Sequence, residues 1–131
     1  MDFDNVRLAS SFSESIAVVS DSTLYLFGDI GRYEFDGVLQ NPRQVVTNSN
    51  NACVLDERGV TCWGSDGNSE AIASIYPQKL FAGIGYNCLL DSTGVNCFGD
   101  VPERISNLPL DIHTDEIVDN GSATCLIDVF G

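Results

Sequence analysis

Short apolar runs separated by polar residues extend along the whole chain. Examples are residues 16–19, bounded by serines, 45–46, between Gln44 and Thr47, and 95–98, bounded by glycines. Runs of this length are too short for typical helices, and their β-branched and aromatic content is typical of strands. The pattern therefore predicts an all-β chain.

The runs belong to an internal repeat. The sequence of residues 52–64, ACVLDERGVTCWG, recurs at 87–99 as NCLLDSTGVNCFG, more weakly at 16–28 as IAVVSDSTLYLFG, and in truncated form at 124–128 as TCLID. A further pair, apolar in three of the four copies, begins eight residues before each anchor position. The anchor residues are Ala17, Cys53, Cys88 and Cys125, with spacings of 36, 35 and 37. Such a period indicates stacked small units, each a meander of three short strands.

The repeat sets the predicted organisation of the chain. We expect one domain, 1–131, with units at about 8–36, 44–75, 79–111 and 116–131. Polar, irregular connections are expected at 29–43, 65–75 and 101–111, and the segment 69–75 is a candidate for a short helix.

Tight turns fix the expected strand register. Asp and Gly flank Glu57-Arg58 and Ser92-Thr93, and Asp21-Ser22 holds the same place in the first copy. Two-residue hairpin loops at these points place Cys53 opposite Cys62 and Cys88 opposite Cys97.

Composition and charge limit the function classes. The 131 residues are 44% hydrophobic, enough for a folded core, and 6 basic against 19 acidic side chains give a net charge of −13. Binding to nucleic acid or to an anionic membrane requires clustered Lys and Arg, which this sequence lacks. A protein partner with a basic surface is expected instead. No signal peptide or membrane-spanning run is visible, so a cytoplasmic location is expected.

The two-cysteine unit resembles the regulator-of-chromosome-condensation repeat in its bacterial and viral style. The residues that carry the resemblance are Cys53, Cys62, Trp63, Gly64, Cys88, Cys97, Phe98, Gly99 and Cys125. The resemblance implies β-propeller blades whose aromatic residues pack between neighbouring sheets, and interaction platforms rather than chemistry. Some members act as exchange-factor surfaces on small GTPases, and others inhibit enzymes.

The chain departs from the family in length and in its end units. Complete members close a ring of about seven blades, whereas this sequence has three units and a remnant, and its first copy lacks cysteine. Open sheet faces and edges need cover. A partial or miniature propeller-like array, an open arc, and a homo-oligomer that covers the open blade edges are all compatible with this length.

The sequence allows two interpretations of the oxidation state of the cysteines. The opposed pairs suggest disulfides, but Ala17 and Leu26 hold the equivalent positions in the first copy, as expected for small apolar side chains in a core. Without a visible signal peptide, reduced buried thiols are the favoured expectation. A spacing of nine residues does not fit a structural zinc site.

Catalytic and metal motifs are weak. His113 is the single histidine and has no nucleophile placed beside it by the sequence, and acidic pairs are expected from density alone. Residues 66–70 begin like a calcium loop without completing one, and the sequon at Asn120 indicates only a turn. We therefore expect no catalysis, no metal and no cofactor.

The first connection is the candidate interface. It combines aromatic and charged residues, a composition common in binding hot spots; these residues are Asp29, Arg32, Tyr33, Glu34, Phe35 and Asp36. The alternative is a loop that folds back to cap the first blade. The expected function is non-catalytic, stoichiometric protein binding; the alternative is an acidic, nucleic-acid-mimicking inhibitor of virus anti-defence type, which blocks a basic nuclease or DNA-binding complex.

Overall fold

The computed structural model describes residues 6–12, 15–28, 31–48, 51–110, 114–119 and 124–128. Across these residues the chain is almost entirely β, which confirms the predicted fold class of propeller-like antiparallel blades. The elements are β1 (Val6–Phe12), β2 (Ser15–Ser20), β3 (Thr23–Gly28), β4 (Tyr33–Phe35), β5 (Gln44–Thr47), β6 (Asn51–Asp56), β7 (Gly59–Gly64), β8 (Ser69–Ile72), β9 (Lys79–Ala82), β10 (Tyr86–Asp91), β11 (Gly94–Gly99), α1 (Glu103–Ser106), β12 (Thr114–Asp119) and β13 (Thr124–Asp128).

The described strands form antiparallel meanders in chain order. Sheet 1 contains β1 to β4, sheet 2 contains β5 to β8, sheet 3 contains β9 to β11, and sheet 4 contains β12 and β13. Each sheet corresponds to one predicted repeat. The expected three-strand unit is seen in sheet 3, whereas sheets 1 and 2 each have a fourth strand.

The fourth strands correct two expectations about the connections. The strands β4 and β8 lie in segments expected to be irregular, and the segment 69–75 is not a helix, because its residues 69–72 are β8. Ile72 pairs with Val60 and Glu70 with Cys62, so β8 occupies the outer edge of β7. That edge presents backbone donors and acceptors that need partners, and a four-residue segment satisfies them better as a strand than as a helix.

One short helix lies in the third connection, which was also expected to be irregular. The helix α1 begins after Pro102, whose fixed φ suits a helix start. Its Ile105 is fully buried, which anchors the turn to the core of its unit.

The hairpin register is confirmed. Cys53 lies opposite Cys62, and Cys88 lies opposite Cys97. The turns at Asp21-Ser22, Glu57-Arg58 and Ser92-Thr93 separate paired strands as predicted. The first strand of each unit keeps one offset too, as shown by the pairs Ser10 with Ala17, Val46 with Cys53, Phe81 with Cys88 and Val118 with Cys125.

The expectation of reduced thiols is wrong for the opposed cysteines. Cys53 is bonded to Cys62 with an S–S distance of 2.09 Å, and Cys88 to Cys97 with 2.04 Å. The Cα atoms of each pair are 4.0 Å apart. Directly opposed positions on antiparallel strands bring the two sulfur atoms within bonding reach, so the register itself makes the disulfides accessible. The side chain of Cys125 lies outside the described residues.

The chain divides into two compact units, Met1–Ala73 and Ser74–Gly131. In the first unit, residues from sheets 1 and 2 form one apolar core; its buried members are Ala17, Val19, Leu24, Leu26, Leu39, Val45, Ala52, Val54 and Trp63. In the second unit the buried core members are Phe81, Tyr86, Cys88, Leu90, Ile105 and Ile117. The assignment of both units to one domain stays a prediction.

Candidate protein-binding surfaces

The predicted interface residues lie on and beside β4. Arg32, Glu34 and Asp36 are exposed, whereas Tyr33 and Phe35 are partly buried. The alternation follows from the strand, because successive side chains point to opposite faces. Asp29 lies outside the described residues. The structure therefore brings the charged members of the predicted set to the surface and directs the aromatic members inward.

Phe35 contributes to the core of the first unit. It pairs with Leu24 across the sheet, and its ring centroid is 5.7 Å from that of Trp63. Tyr33 stacks on Phe35 at the same distance, 5.7 Å, with an interplanar angle of 17°. Burial between apolar neighbours stabilises the sheet pair, so these rings have structural contacts whatever their role in binding.

Tyr33 also fixes the chain on both sides of its ring. Its hydroxyl donates a hydrogen bond to the carbonyl of Ser65 at 2.7 Å. A Cβ atom at Gly31 would lie 2.4 Å from the ring, and one at Gly67 would lie 2.8 Å from it. Both glycines have positive φ, so two side-chain-free positions form the slot that holds the ring.

A shallow cavity adjoins this segment. It has a volume of about 280 Å³ and is lined by Tyr25, Phe27, Arg32, Tyr33 and Glu34. Desolvation, followed by the negative charges of Glu34 and Asp36, raises the pKa of the Tyr25 phenol. Tyr25 is therefore neutral at physiological pH and is a hydrogen-bonding group in a cavity lined by aromatic and charged side chains.

The structure adds a surface that sequence reasoning missed. In the second unit, Ile75 is 56% exposed and Tyr76 is 80% exposed. Tyr76 has a φ of 53°, which is unusual for a bulky residue. We refer to Ile75 and Tyr76 as the exposed ridge.

The backbone of the ridge is firmly held. The amide of Ile75 donates to a carboxylate oxygen of Asp91 at 3.0 Å. Its carbonyl accepts hydrogen bonds from the amide and the hydroxyl of Ser92, each at 2.9 Å. Asp91 also accepts from the amide and the hydroxyl of Thr93, at 2.8 and 2.6 Å. A single buried carboxylate thus joins the hairpin turn to the ridge.

The same arrangement occurs one repeat earlier. Asp56 accepts from the amide of Gln40 at 3.0 Å and from the amide of Arg58 at 2.9 Å. Asn41, which follows Gln40, has a φ of 48°. A proline follows the residue with positive φ in both repeats. Residues 40–43 read QNPR and residues 75–78 read IYPQ, and alignment of the two connections could have revealed this shared signal.

Asp91 provides a pH-dependent prediction. Hydrogen bonds from Thr93 and Ile75 lower the pKa of its carboxyl below the ordinary value. A lowered pKa in the folded state adds stability above the unfolded value near 4, and this contribution is lost as the pH falls through the folded value. We expect Asp91→Asn to lower the free energy of unfolding by about 1.5–3 kcal/mol at pH 7.

Urea unfolding at pH 7 and at successive steps below pH 4 measures this contribution. The difference between wild type and Asp91→Asn should shrink as the pH falls. Asp100→Asn is the matched control, since Asp100 is exposed and follows the same hairpin. A difference that stays constant down to pH 2 would show that the carboxylate charge has no part in the effect.

A groove in the first unit lies at the same hairpin ends. It has a volume of about 400 Å³ and is lined by Asp21, Ser22, Leu39, Gln40, Asn41, Pro42 and Glu57. Glu57 accepts a hydrogen bond from the side chain of Asn41 at 2.7 Å, which fixes one wall. With carboxylates on two hairpin turns, the groove suits a cationic side chain of a partner.

Among the described residues, no group of three or more potential metal ligands occurs. Asp66, from the calcium-like segment, accepts hydrogen bonds from the amide and side chain of Asn68 at 2.9 and 3.0 Å, and these bonds lower its pKa. His113 and the sequon at Asn120 lie outside the described residues.

The aromatic positions of the repeat differ in burial. Trp63 is 5% exposed and belongs to the core of the first unit, as the resemblance implied. Phe27 and Phe98 are only partly buried, and Phe27 stacks on Tyr25 with a centroid distance of 6.4 Å. No helix among the described residues is long and apolar enough to cross a membrane.

Similarity to one solved structure supports the fold. The chain is similar to human WBSCR16, a regulator-of-chromosome-condensation-like protein, with 17% identity and a TM-score of 0.61 over 73% of this chain and 34% of that one. A weaker similarity, with a TM-score of 0.40 and 16% identity, is to the CRINKLY WD40 ectodomain of the receptor kinase ACR4 from Arabidopsis thaliana, over 74% of this chain and 51% of that one. No protein-family model and no curated protein sequence matches the chain.

Proposed function

We propose that this chain is a non-catalytic protein-binding module that recognises a partner with a basic surface. The observation that carries the proposal is the construction of the hairpin ends. In each unit an Asp at the end of the central strand holds the backbone of the preceding connection. Side chains of those connections are therefore exposed to solvent on a backbone that hydrogen bonds hold in place. Because that backbone is already ordered, binding costs less conformational entropy.

Charge favours a cationic partner. The chain has a net charge of −13, and the groove of the first unit has Asp21 and Glu57 on its walls. Arg58, which neighbours Glu57, forms an ion pair with Asp56 at 3.2 Å and donates to the carbonyl of Val38. Because that guanidinium is already engaged, it is not directed at the carboxylates of the groove.

The exposed ridge supplies the apolar part of the surface. An aromatic side chain that is 80% exposed on a held backbone is suited to insert into a pocket of a partner. In the first unit, Arg32, Glu34 and Asp36 of the predicted interface line the edge of β4 and are assigned a contact role in this proposal. Tyr33 and Phe35 support that edge from the core side.

The test separates charge from apolar contact. A partner captured from the native host is purified, and its association and dissociation rates are measured with the wild-type chain. We expect Tyr76→Ala to raise the dissociation rate about tenfold or more. The double variant Asp21→Asn, Glu57→Gln is expected to slow association about three- to tenfold at low salt, since long-range attraction is weakened. Asn at position 21 tolerates the φ of 53° found there.

The controls and contrary results are specific. Ile84→Ala removes another exposed apolar side chain, 48% exposed, outside both surfaces and should leave the rates unchanged. Wild-type affinity should fall between about 50 and 500 mM salt, because the Debye length shortens from roughly 14 to 4 Å. Affinity that is indifferent to salt would contradict a basic partner, and turnover of a substrate abolished by His113→Ala would contradict a non-catalytic role.

The narrower function, inhibition of a nuclease or DNA-binding complex by an acidic protein, requires a further property of the partner. The captured partner would then bind DNA through the surface that binds this chain. Duplex DNA added in excess should displace the chain competitively. Simultaneous binding of DNA and this chain to the partner would exclude the inhibitor hypothesis and leave that of a protein-binding module.

A further inference from the structure

Each sheet has two faces that can be compared across the repeats. We call the face that carries the anchor position the back face, and the opposite face, which carries the residue just before the anchor, the front face. Alternation of side chains along the central strand separates the two. The anchors are Ala17, Cys53, Cys88 and Cys125, and the preceding residues are Ile16, Ala52, Asn87 and Thr124.

Within each unit, a back face packs on the next front face. In the first unit Ala17 and Leu26, from the back face of sheet 1, share a core with Ala52 and Trp63, from the front face of sheet 2. In the second unit Cys88, from the back face of sheet 3, shares a core with Ile117, which lies on the front face of sheet 4 by its pairing with Leu126. Back-to-front packing is thus seen twice.

The front-face position before the anchor is exposed in the first repeat only, among the repeats whose burial is described. Ile16 is 46% exposed, whereas Ala52 is 0% and Asn87 is 1% exposed. Beside Ile16, the partly buried rings of Tyr25 and Phe27 stack on each other with an interplanar angle of 6°. Sheet 1 therefore presents an apolar and aromatic front face, of the kind that neighbouring sheets cover elsewhere in the chain.

The back-face position two residues after the anchor is exposed in the fourth repeat only. Val19 is 0%, Leu55 is 1% and Leu90 is 6% exposed, whereas Ile127 is 50% exposed. The two exposed positions thus lie on a front face, at Ile16, and on a back face, at Ile127. Within each unit, a back face and a front face are the surfaces that pack together.

We propose that the back face of sheet 4 in one copy of the chain packs on the front face of sheet 1 in a second copy. A second copy supplies the complementary half, because Val19, at the position equivalent to Ile127, shares a core with Ala52, at the position equivalent to Ile16. Such head-to-tail contact would cover both exposed isoleucines. The contact is separate from the groove and the exposed ridge, but Glu34 pairs with Tyr25 on the same front face, so self-association would compete with a partner that binds at Glu34.

Electrostatics distinguish self-association from partner binding. Two copies each carry a net charge of −13, so their approach is opposed by repulsion that salt screens. Self-association should therefore strengthen as salt rises, whereas binding to a basic partner weakens. The opposite salt dependences allow each proposal to fail without the other.

Sedimentation equilibrium of the full chain, at low and high salt over a concentration series, tests the contact. The monomer mass is 14.1 kDa, and wild type should move reversibly to multiples of that mass as concentration rises, because each head-to-tail contact leaves a front face and a back face for a further copy or for ring closure. Ile16→Glu and Ile127→Glu should each weaken association on the order of a hundredfold, because each brings a charge into an apolar contact. Ile84→Glu, at a position 48% exposed on neither face, should have no effect.

Mixing the two variants tests the pairing of faces. The Ile16→Glu chain keeps an intact back face on sheet 4, and the Ile127→Glu chain keeps an intact front face on sheet 1. An equimolar mixture should therefore regain association that neither variant shows alone. Far-UV circular dichroism and the thermal midpoint of each variant confirm that it is folded, since both substituted residues are half exposed.

Three results would overturn the proposal. Wild type that stays monomeric across the series would show that another molecule, or nothing, covers these faces. Association that Ile16→Glu abolishes and Ile127→Glu leaves intact would indicate front-to-front contact. Association equally weakened by Ile84→Glu would indicate a different surface.

Discussion

Replacement of Trp63 by alanine is expected to lower the free energy of unfolding by about 3–5 kcal/mol. Trp63 is 5% exposed, contacts Phe35 at a centroid distance of 5.7 Å, and lies in a core built from sheets 1 and 2. Loss of the indole ring leaves a cavity. The neighbouring aromatic rings cannot move to fill it, because strand pairing fixes their positions. The effect should extend to both sheets, because each supplies core residues.

Urea unfolding followed by circular dichroism measures this loss. Phe98→Ala is the matched control, because Phe98 holds the same place in the third repeat but is only partly buried. We expect the control to cost less than half as much, roughly 1–2 kcal/mol. Equal losses at the two positions would contradict the assignment of Trp63 alone to the core.

Loss of the disulfide between Cys53 and Cys62 is expected to cost about 2.5 kcal/mol. The bond closes a loop of sequence separation 9, and cross-linking restricts the unfolded chain by an amount set by loop length. Cys53 is fully buried and Cys62 is 6% exposed, so the replacement side chains also matter. The double variant Cys53→Ser, Cys62→Ser should lose more than the cross-link alone, because two hydroxyls are then buried.

The first repeat provides the control for this experiment. Ala17 and Leu26 hold the same paired positions in sheet 1 and are both fully buried. The variant Cys53→Ala, Cys62→Leu copies that pair and should lose less stability than the serine variant, since it keeps an apolar contact. Alkylation of the unreduced protein in denaturant, followed by mass spectrometry, should leave Cys53, Cys62, Cys88 and Cys97 unlabelled, because unfolding exposes any reduced thiol but does not break a disulfide. Labelling of all four would contradict the disulfides.

The oxidised cysteines show where sequence reasoning stopped. The repeat placed the cysteines opposite each other, and it also offered Ala17 and Leu26 as evidence that the site accepts apolar side chains. Both observations hold in the structure. Bond formation depended on the approach of the paired backbones, with Cα atoms 4.0 Å apart, which residue types alone do not state. Because disulfides are typical of oxidising compartments, the cytoplasmic location stays a prediction.

The interface residues show a similar division. Composition alone marked Tyr33 and Phe35 as aromatic residues in a polar connection. Pairing of the connection with β3 made it a strand, and alternation then sent both rings toward the core. The exposed ridge is the opposite case, because Ile75 and Tyr76 are apolar and aromatic residues that the structure leaves exposed. Their residue types do not distinguish an exposed pair from a buried one. Their backbone is held by hydrogen bonds to Asp91 and Ser92 of the following hairpin, and this tertiary contact leaves both side chains exposed.

The sequence by itself determined the repeat, the hairpin turns, the strand register and the opposition of Cys53 with Cys62. These features depend on neighbours along the chain, and a two-residue turn fixes every pair that follows it. Tertiary structure alone decided which faces are covered. Ile16 and Ala52 hold equivalent positions, yet one is 46% exposed and the other 0%, because burial depends on the sheet that lies against the face.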